Sequence, residues 1–470
     1  MSAPFAAMRP ALLTLAIAPV YGQSYLAAED LSARLRAVHT DKTRLLLVGY
    51  GARTAAEATA MRADLLRIGG FASTLDGTAV DAVVYPAGRD AASKALREQA
   101  IAALGAAHGA VVLPLAFAPR DDSMMDFAGW YAGELPDDAE AANSPIASAD
   151  ALAEWMAHAN AALTLQQRPA SGKEVGVIVL AHGADWFWNR DIMQSLEPLN
   201  NNHTLAWAFS MADPVVVERA VRQLEAENVR GIVVLRVFGM ASSFKRSVDR
   251  MIGADVAGAT DAGHAAHAKA GHAHEMAMMG HDHGVMGHRS LAAAPRIRSR
   301  LPMVTIGGVA DSPLFARALL QQANALSKQP AKDSVILVAH GQGDDTANQR
   351  WIDLLNSLAR QMRADGGDRF RTIRVATWRE DWPEKSKQAI ATVRAMVEQA
   401  NRDGGRALVI PARTNGRGAA DRYLKGLDFG WGHGFARSPL FAEWAEHEVQ
   451  AGIAQLHAAD EQTTAPQHMH

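Results

Sequence analysis

The chain has 470 residues, about half of them hydrophobic, a formal charge of −3 and no cysteine. That length exceeds one ordinary core and implies about two to four domains. The near-neutral charge with dispersed Lys and Arg gives no footprint for nucleic acid, and the lack of cysteine excludes disulfides, thiolate metal sites and protein-held iron–sulfur clusters.

In chain order, Met8-Arg9-Pro10 leads into the apolar run ALLTLAIAPV and then Tyr21-Gly22-Gln23. A single positive charge, a short apolar run and a small residue are the parts of a secretory signal peptide, so residues 1–23 are expected to direct export. The competing reading is an N-terminal strand or helix of the first core, which leaves the protein cytoplasmic. The run is too short to span a bilayer, and no other stretch approaches a transmembrane segment.

From residue 44 on, a strand with a polar tip, a helix, a second strand, a helix, a third strand and a closing helix follow one another three times. Alternation of this kind predicts an α/β fold of tandem units, each a parallel sheet flanked by helices. The units are expected at 44–168, 173–330 and 333–460. Their first strands are RLLLVGYG from Arg44, VGVIVLAHG from Val175 and SVILVAHG from Ser334. The uninterrupted aliphatic runs suit strands covered on both faces. The polar tips are Tyr50, His182 and His340. They fall at the carboxyl end of the sheet, where ligands bind in open α/β folds.

Second strands are expected at Ala82–Tyr85, Thr204–Phe209 and Thr372–Thr377, and third strands at Ala110–Leu115, Gly231–Val237 and Ala407–Ile410. Intervening helices are expected at Thr54–Ile68, Ala91–Leu104, Asp191–Leu199, Pro214–Glu227, Gln349–Arg363 and Glu384–Asn401. Ser144-Pro145, Ser312-Pro313 and Ser438-Pro439 each mark the start of a closing helix, because serine caps orphan N–H groups and proline at the first helical position lacks one. The interval from polar tip to this serine is longest in the middle unit, and the excess falls at 253–294.

That insert carries His264, His267, His272, His274, His281, His283 and His288, with Met276, Met278, Met279, Met286, Glu275 and Asp282 among them. It has no apolar period and is expected to be a loop. Its histidines are candidate ligands for Co, Ni, Cu or Zn, with a solvated low-complexity linker as the bland alternative. The terminal His468-Met469-His470 offers at most weak metal affinity.

The ordered set comprises an aliphatic strand ending in His-Gly, a second strand leading to Trp378-Arg379-Glu380-Asp381, a third strand ending in a turn, and Ser-Pro-Leu-Phe before the last helix. It resembles the sirohydrochlorin cobaltochelatase (CbiX-type) family of the class II chelatases. The resemblance covers about Lys173–His457 and extends weakly to the first unit. It implies insertion of Co²⁺ or Ni²⁺ into a tetrapyrrole, as in cobalamin biosynthesis, with Fe²⁺ or Zn²⁺ as further metals. The family's first-strand histidine maps onto His182 and His340, and its carboxylate onto Glu380. The middle unit has Ser210-Met211-Ala212-Asp213 at that place, without a glutamate. The histidine after the family's third strand is absent from Arg236–Ala241 and from Pro411–Arg417. His433, in Gly432-His433-Gly434, is the candidate to replace it.

The expected catalytic residues are therefore His340, Glu380 and His182, with His340, Glu380 and His433 as metal ligands beside the loop histidines. Arg379, Arg413 and Arg417 are candidates for pairing tetrapyrrole carboxylates, and Trp378 for stacking on the macrocycle. Trp378 falls near a strand end together with Trp186, Trp188, Trp382 and Trp431, where a cleft wall and a core position both fit all five. A non-catalytic exported protein that buffers metal through the His-rich loop is the alternative. A phosphate-binding α/β protein fits less well, since no Gly-rich phosphate loop follows a first strand.

Overall fold

The computed structural model describes residues 21, 24–37, 44–76, 79–88, 90–114, 133–141, 149–253 and 296–458. The expected leader apart from Tyr21, which is buried in the first unit's core, the His-rich histidines His264–His288, Ser144-Pro145 and the terminal His468 and His470 lie outside the described residues.

The fold is α/β, with three four-stranded parallel sheets covered by helices. After helix α1 (Tyr25–Ala37), the first unit contains β1 (Arg44–Tyr50), α2 (Ala55–Asp76), β2 (Ala79–Tyr85), α3 (Ala91–Gly105), β3 (Ala110–Pro114) and β4 (Glu140–Ala141). Helix α4 (Ala149–Gln167) leads to the second unit, which contains β5 (Val175–Ala181), α5 (Trp186–Leu196), β6 (Thr204–Phe209), α6 (Pro214–Ala226), β7 (Gly231–Val237), α7 (Lys245–Ile252), β8 (Met303–Gly307) and α8 (Pro313–Leu326). The third unit contains β9 (Ser334–Ala339), α9 (Asp345–Ala364), β10 (Thr372–Thr377), α10 (Pro383–Arg402), β11 (Ala407–Pro411), α11 (Ala420–Tyr423), β12 (Phe429–Trp431) and α12 (Leu440–His457).

In each sheet the first strand is central, and the order is second, first, third, fourth. Burial of every residue of β5, β7 and β9 explains their unbroken aliphatic sequence. The chain reverses direction across the sheet between the first and third strands, so a crevice opens beyond their carboxyl ends. His182 and His340 follow β5 and β9 directly and stand at that place.

The fourth strands β4, β8 and β12 are additions to the three-strand pattern expected from sequence. They run for only 2, 5 and 3 residues, too short to leave a hydrophobic period. Helix α5 starts at Trp186, before the Asp191 start expected from apolar spacing, because the Asp185 carboxylate caps the Trp188 N–H at 2.8 Å.

The second and third units exchange their last helices. Helix α8, last in the second unit, packs on α9 and β11 of the third, while α12 packs on β7 and β8 of the second. One continuous core results, running from Val177 and Leu235 through Phe315 and Leu319 to Leu337, Phe441 and Trp444. Gly452 allows the close approach of α12, since a Cβ there would stand 2.6 Å from Val233 Cγ1. Glu448 of α12 accepts the Gly307 N–H at 3.0 Å at the end of β8. The first unit has a core of its own, in which α1 covers the sheet with Tyr25, Leu26 and Leu31.

Candidate functional site

Each first strand of the second and third units ends in a turn built the same way. Gly183 and Gly341 have φ of +77° and +83°, and a Cβ on either would crowd the neighbouring edge strand, at 2.9 Å from Phe209 and 2.7 Å from Thr377. Both the left-handed backbone and the lack of space require glycine. The next residue's N–H, on Ala184 or Gln342, is held by a helix asparagine, Asn189 Oδ1 at 3.0 Å or Asn348 Oδ1 at 3.1 Å. Asp185 and Asp344 then cap the following helices.

The turn also orients the histidine. Nδ1 lies 2.6 Å from Gly183 O in His182 and 3.0 Å from Gly341 O in His340, and His433 repeats the contact with Gly434 O at 3.0 Å. A carbonyl can only accept, so Nδ1 carries the proton and Nε2 is left to act as base, acid or ligand.

His340 differs from the other two because its Nε2 lies 3.1 Å from Asp381 Oδ2. Acceptors at both ring nitrogens favour the doubly protonated cation. Burial opposes that charge, but the hydrogen bonds to Asp381 and Gly341 and the charges of Glu380 and Asp381 outweigh it, and His340 titrates above the usual imidazole range. About one third of each side chain of the pair remains exposed. Trp382 stands edge-on to the imidazole with ring centroids 6.1 Å apart. Gly343 has no counterpart in the His182 turn and makes room for that indole, since a Cβ there would be 2.1 Å from Nε1.

Glu380 sits next to this pair and takes Arg413, whose Nη2 lies 3.3 Å from each carboxylate oxygen. The carboxylate in contact with the imidazole is therefore Asp381, the residue after the one the family pattern selects. The acidic dipeptide Glu380-Asp381 was visible in sequence; which member turns toward His340 depends on Arg379. Arg379 has φ of +51° and donates its Nε to Gln342 O at 2.6 Å. Its Nη2 reaches Gly343 O and also lies 2.7 Å from Asp345. This guanidinium is thus used in fastening the His340 turn, not in presenting a free charge to a ligand. A groove of about 250 Å³ runs along β10 between α9 and α10, with Asn348, Thr377 and Arg379 in its wall.

Trp378 requires a correction as a stacking residue. Only 3% of it is exposed, and it packs in the core under α10 against Tyr423, with ring centroids 5.2 Å apart. Strand alternation carries its side chain past Thr377 to the helix-covered face. Arg417 keeps the expected exposure toward the strand ends, where its guanidinium lies 5.0 Å over Trp431.

His433 follows β12, two strands away from β9, which places strand axes about 10 Å apart. Its segment is fastened to the loop after β11 through Gly434 N–H to Gly416 O, Phe435 N–H to Arg413 O and Ala436 N–H to Thr414 O. Among the described residues no group of three or more His, Asp or Glu is placed to hold a metal ion. His340, Glu380 and His433 accordingly do not form a closed three-ligand centre.

The second unit keeps the histidine but lacks the rest. No described carboxylate pairs with His182, whose ring instead neighbours Trp188 at 6.4 Å. The loop after β7 is clamped by buried Arg236, which donates to Ala241 O, Ser243 O and Gly307 O at 2.9, 2.8 and 2.7 Å. Gly239 of that loop lies against Trp351 of α9, where a Cβ would be 2.5 Å from the indole. On the other side of the seam, Asn415 Nδ2 donates to Trp188 O at 3.1 Å. The strand-end loops of the two units thus meet each other. In the first unit Tyr50 replaces histidine, is 48% exposed and stacks with Tyr85 at 6.1 Å.

No family model matches the chain, and no curated protein matches its sequence. Among solved structures, it is similar to DR2241 from Deinococcus radiodurans, described as a multi-domain protein with structural similarity to chelatases and two additional novel domains. The identity is 14% and the TM-score 0.34, over 61% of this chain and 56% of that one. The match thus spans little more than half the length of DR2241. No helix among the described residues is long and apolar enough to cross a membrane.

Proposed function

We propose that the third unit inserts a divalent metal ion, Co²⁺ or Ni²⁺, into a tetrapyrrole of the sirohydrochlorin type. The observation that carries this reading is the His340–Asp381 contact at 3.1 Å, with Glu380 adjoining, at the switch point of the third sheet.

Insertion releases two protons as the macrocycle nitrogens bind the metal. His340 resting as a cation must first lose its Nε2 proton, which the arrival of a divalent ion beside it favours electrostatically. The neutral ring then takes one pyrrole proton, with Asp381 holding the imidazolium thus formed, and the second pyrrole proton passes to solvent water. Glu380 and Asp381 add negative charge that draws the ion in. A closed set of protein ligands would retain the metal, whereas an open pair of imidazole and carboxylate can hand it to four ring nitrogens. Arg413 and Arg417 are the cations placed to meet peripheral carboxylates, Arg413 by exchanging its partner Glu380.

The test is absorbance of sirohydrochlorin mixed with Co²⁺ or Ni²⁺, comparing the intact chain with His340→Ala. Turnover by the first and loss in the second is the expected result, and equal rates sink the assignment.

A second reading is an exported metal-buffering protein that performs no insertion. It is favoured by the histidines at 264–288. Metal titration by calorimetry separates the readings: under the second, deletion of 263–288 removes most bound equivalents and no variant changes sirohydrochlorin absorbance.

A further inference from the structure

The first turn of α5 presents two large aromatic side chains to solvent, Trp186 at 65% and Phe187 at 64% exposure. Their rings meet edge to face at 5.2 Å, and the Arg190 guanidinium lies 4.7 Å over the first and 5.3 Å from the second. Arg190 has only a long ion pair, 3.8 Å to Asp191, and its Nε is buried without a partner. Two exposed aromatics of this size in one helical turn are costly to hydrate, and nothing among the described residues covers them.

The same composition recurs across the seam, where Arg417 lies 5.0 Å over Trp431. The two pairs flank one contact: Trp188 O accepts from Asn415, and Gly416, the residue before Arg417, packs near the Trp188 indole. His182 abuts Trp188 on the same rim.

We propose that Trp186, Phe187 and Arg190 form a docking face for the flat, carboxylate-bearing macrocycle, with the Trp431–Arg417 pair as its opposite border. This rests on the tetrapyrrole reading above and locates the ligand's contact on the second unit. Charge complementarity selects this occupant, together with continuity through Trp188 and Asn415 to the loop whose Arg413 holds Glu380. An aromatic surface stacks on a conjugated ring, and a guanidinium held against it meets a rim carboxylate.

The experiment uses the full chain and metal-free uroporphyrin, followed by the shift of its main absorbance band. Trp186→Ala/Phe187→Ala is expected to weaken binding about tenfold, and Arg190→Gln about threefold with a reduced salt dependence. These side chains are exposed, and an unchanged melting temperature shows that the variants fold. Affinities within twofold of the parent, or no binding by the intact chain, overturn the proposal. Sedimentation provides a second arm: if the double variant turns a dimer into a monomer while uroporphyrin affinity stays, the face joins two copies and the proposal fails. Insertion is read separately. Weakened binding without any insertion by the parent refutes the chelatase reading alone, whereas insertion with unaltered binding in the double variant refutes the docking face alone.

Discussion

His182 and His340 end equivalent strands, sit in turns fixed by the same glycine, asparagine and aspartate devices, and hold Nδ1 against the next carbonyl, yet among the described residues only His340 meets a carboxylate. Near His340 the second strand runs on into Arg379-Glu380-Asp381, and Arg379 fastens the turn so that Asp381 meets Nε2. Near His182 the corresponding residues are Met211-Ala212-Asp213, and Asp213 is used to cap α6 through the Val215 N–H at 2.8 Å. A carboxylate thus exists near both strand ends. One faces the imidazole and the other faces backbone.

The loops after the third strands differ in the same sense. In the second unit Arg236 is buried and holds three carbonyls through its two terminal nitrogens, so the loop is a fixed wall. In the third unit Arg413 holds Glu380 through contacts of 3.3 Å, long for a charge-assisted pair and open to exchange. One crevice has become structural support, and the other retains exchangeable charge.

The comparison breaks first at His340. Replacement by alanine should lower metal insertion by about 100-fold or more, the range for loss of a general base, with little change in melting temperature. A fall under threefold would put the chemistry elsewhere. Arg236→Met should destabilise the second and third units together by about 3 kcal/mol in urea unfolding, because three carbonyls lose the buried guanidinium that joins them. Since α12 joins both sheets in one core, a single transition should report the loss; two separated transitions would contradict the shared core.

Asp381→Asn should bring the NMR titration of His340 down from above the usual imidazole range and slow insertion about tenfold. The sign for stability follows from the raised folded-state pKa. The pair's contribution is complete below about pH 6.5 and is lost as pH rises through the folded value, so the parent's advantage over Asp381→Asn should shrink with rising pH. An advantage that grows with pH would reverse the assignment. The smallest effect belongs to His182→Ala, which should leave insertion within about threefold of the parent, since no carboxylate among the described residues holds the charge of this ring. A loss as large as that of His340→Ala would make the two units equal partners.

Much of this was legible in the sequence. The three units, the central strands and the place of His182 and His340 follow from aliphatic runs that only a doubly covered strand explains. Even the His-Gly pair has a local cause, as the turn needs positive φ where no Cβ fits. Trp378 was ambiguous for an equally physical reason. One residue past a strand, an indole stacks on ligand or core according to which face the alternation gives it, and here that face lies under α10.

What sequence alone determined, then, is the set of elements and the chemistry at their tips, because hydrophobic period and turn stereochemistry act over a few residues. The tertiary structure decided which groups meet. Asp381 rather than Glu380 reaches His340, since Arg379 is drawn to carbonyls of another loop. Helices α8 and α12 cross to each other's sheets, where Phe315 and Leu319 of one and Phe441 and Trp444 of the other enter one shared core. Trp186 and Phe187 stay in solvent because only Ile192 and Leu196 of α5 turn inward. Each outcome depends on contacts between segments far apart in the chain, which no local pattern encodes.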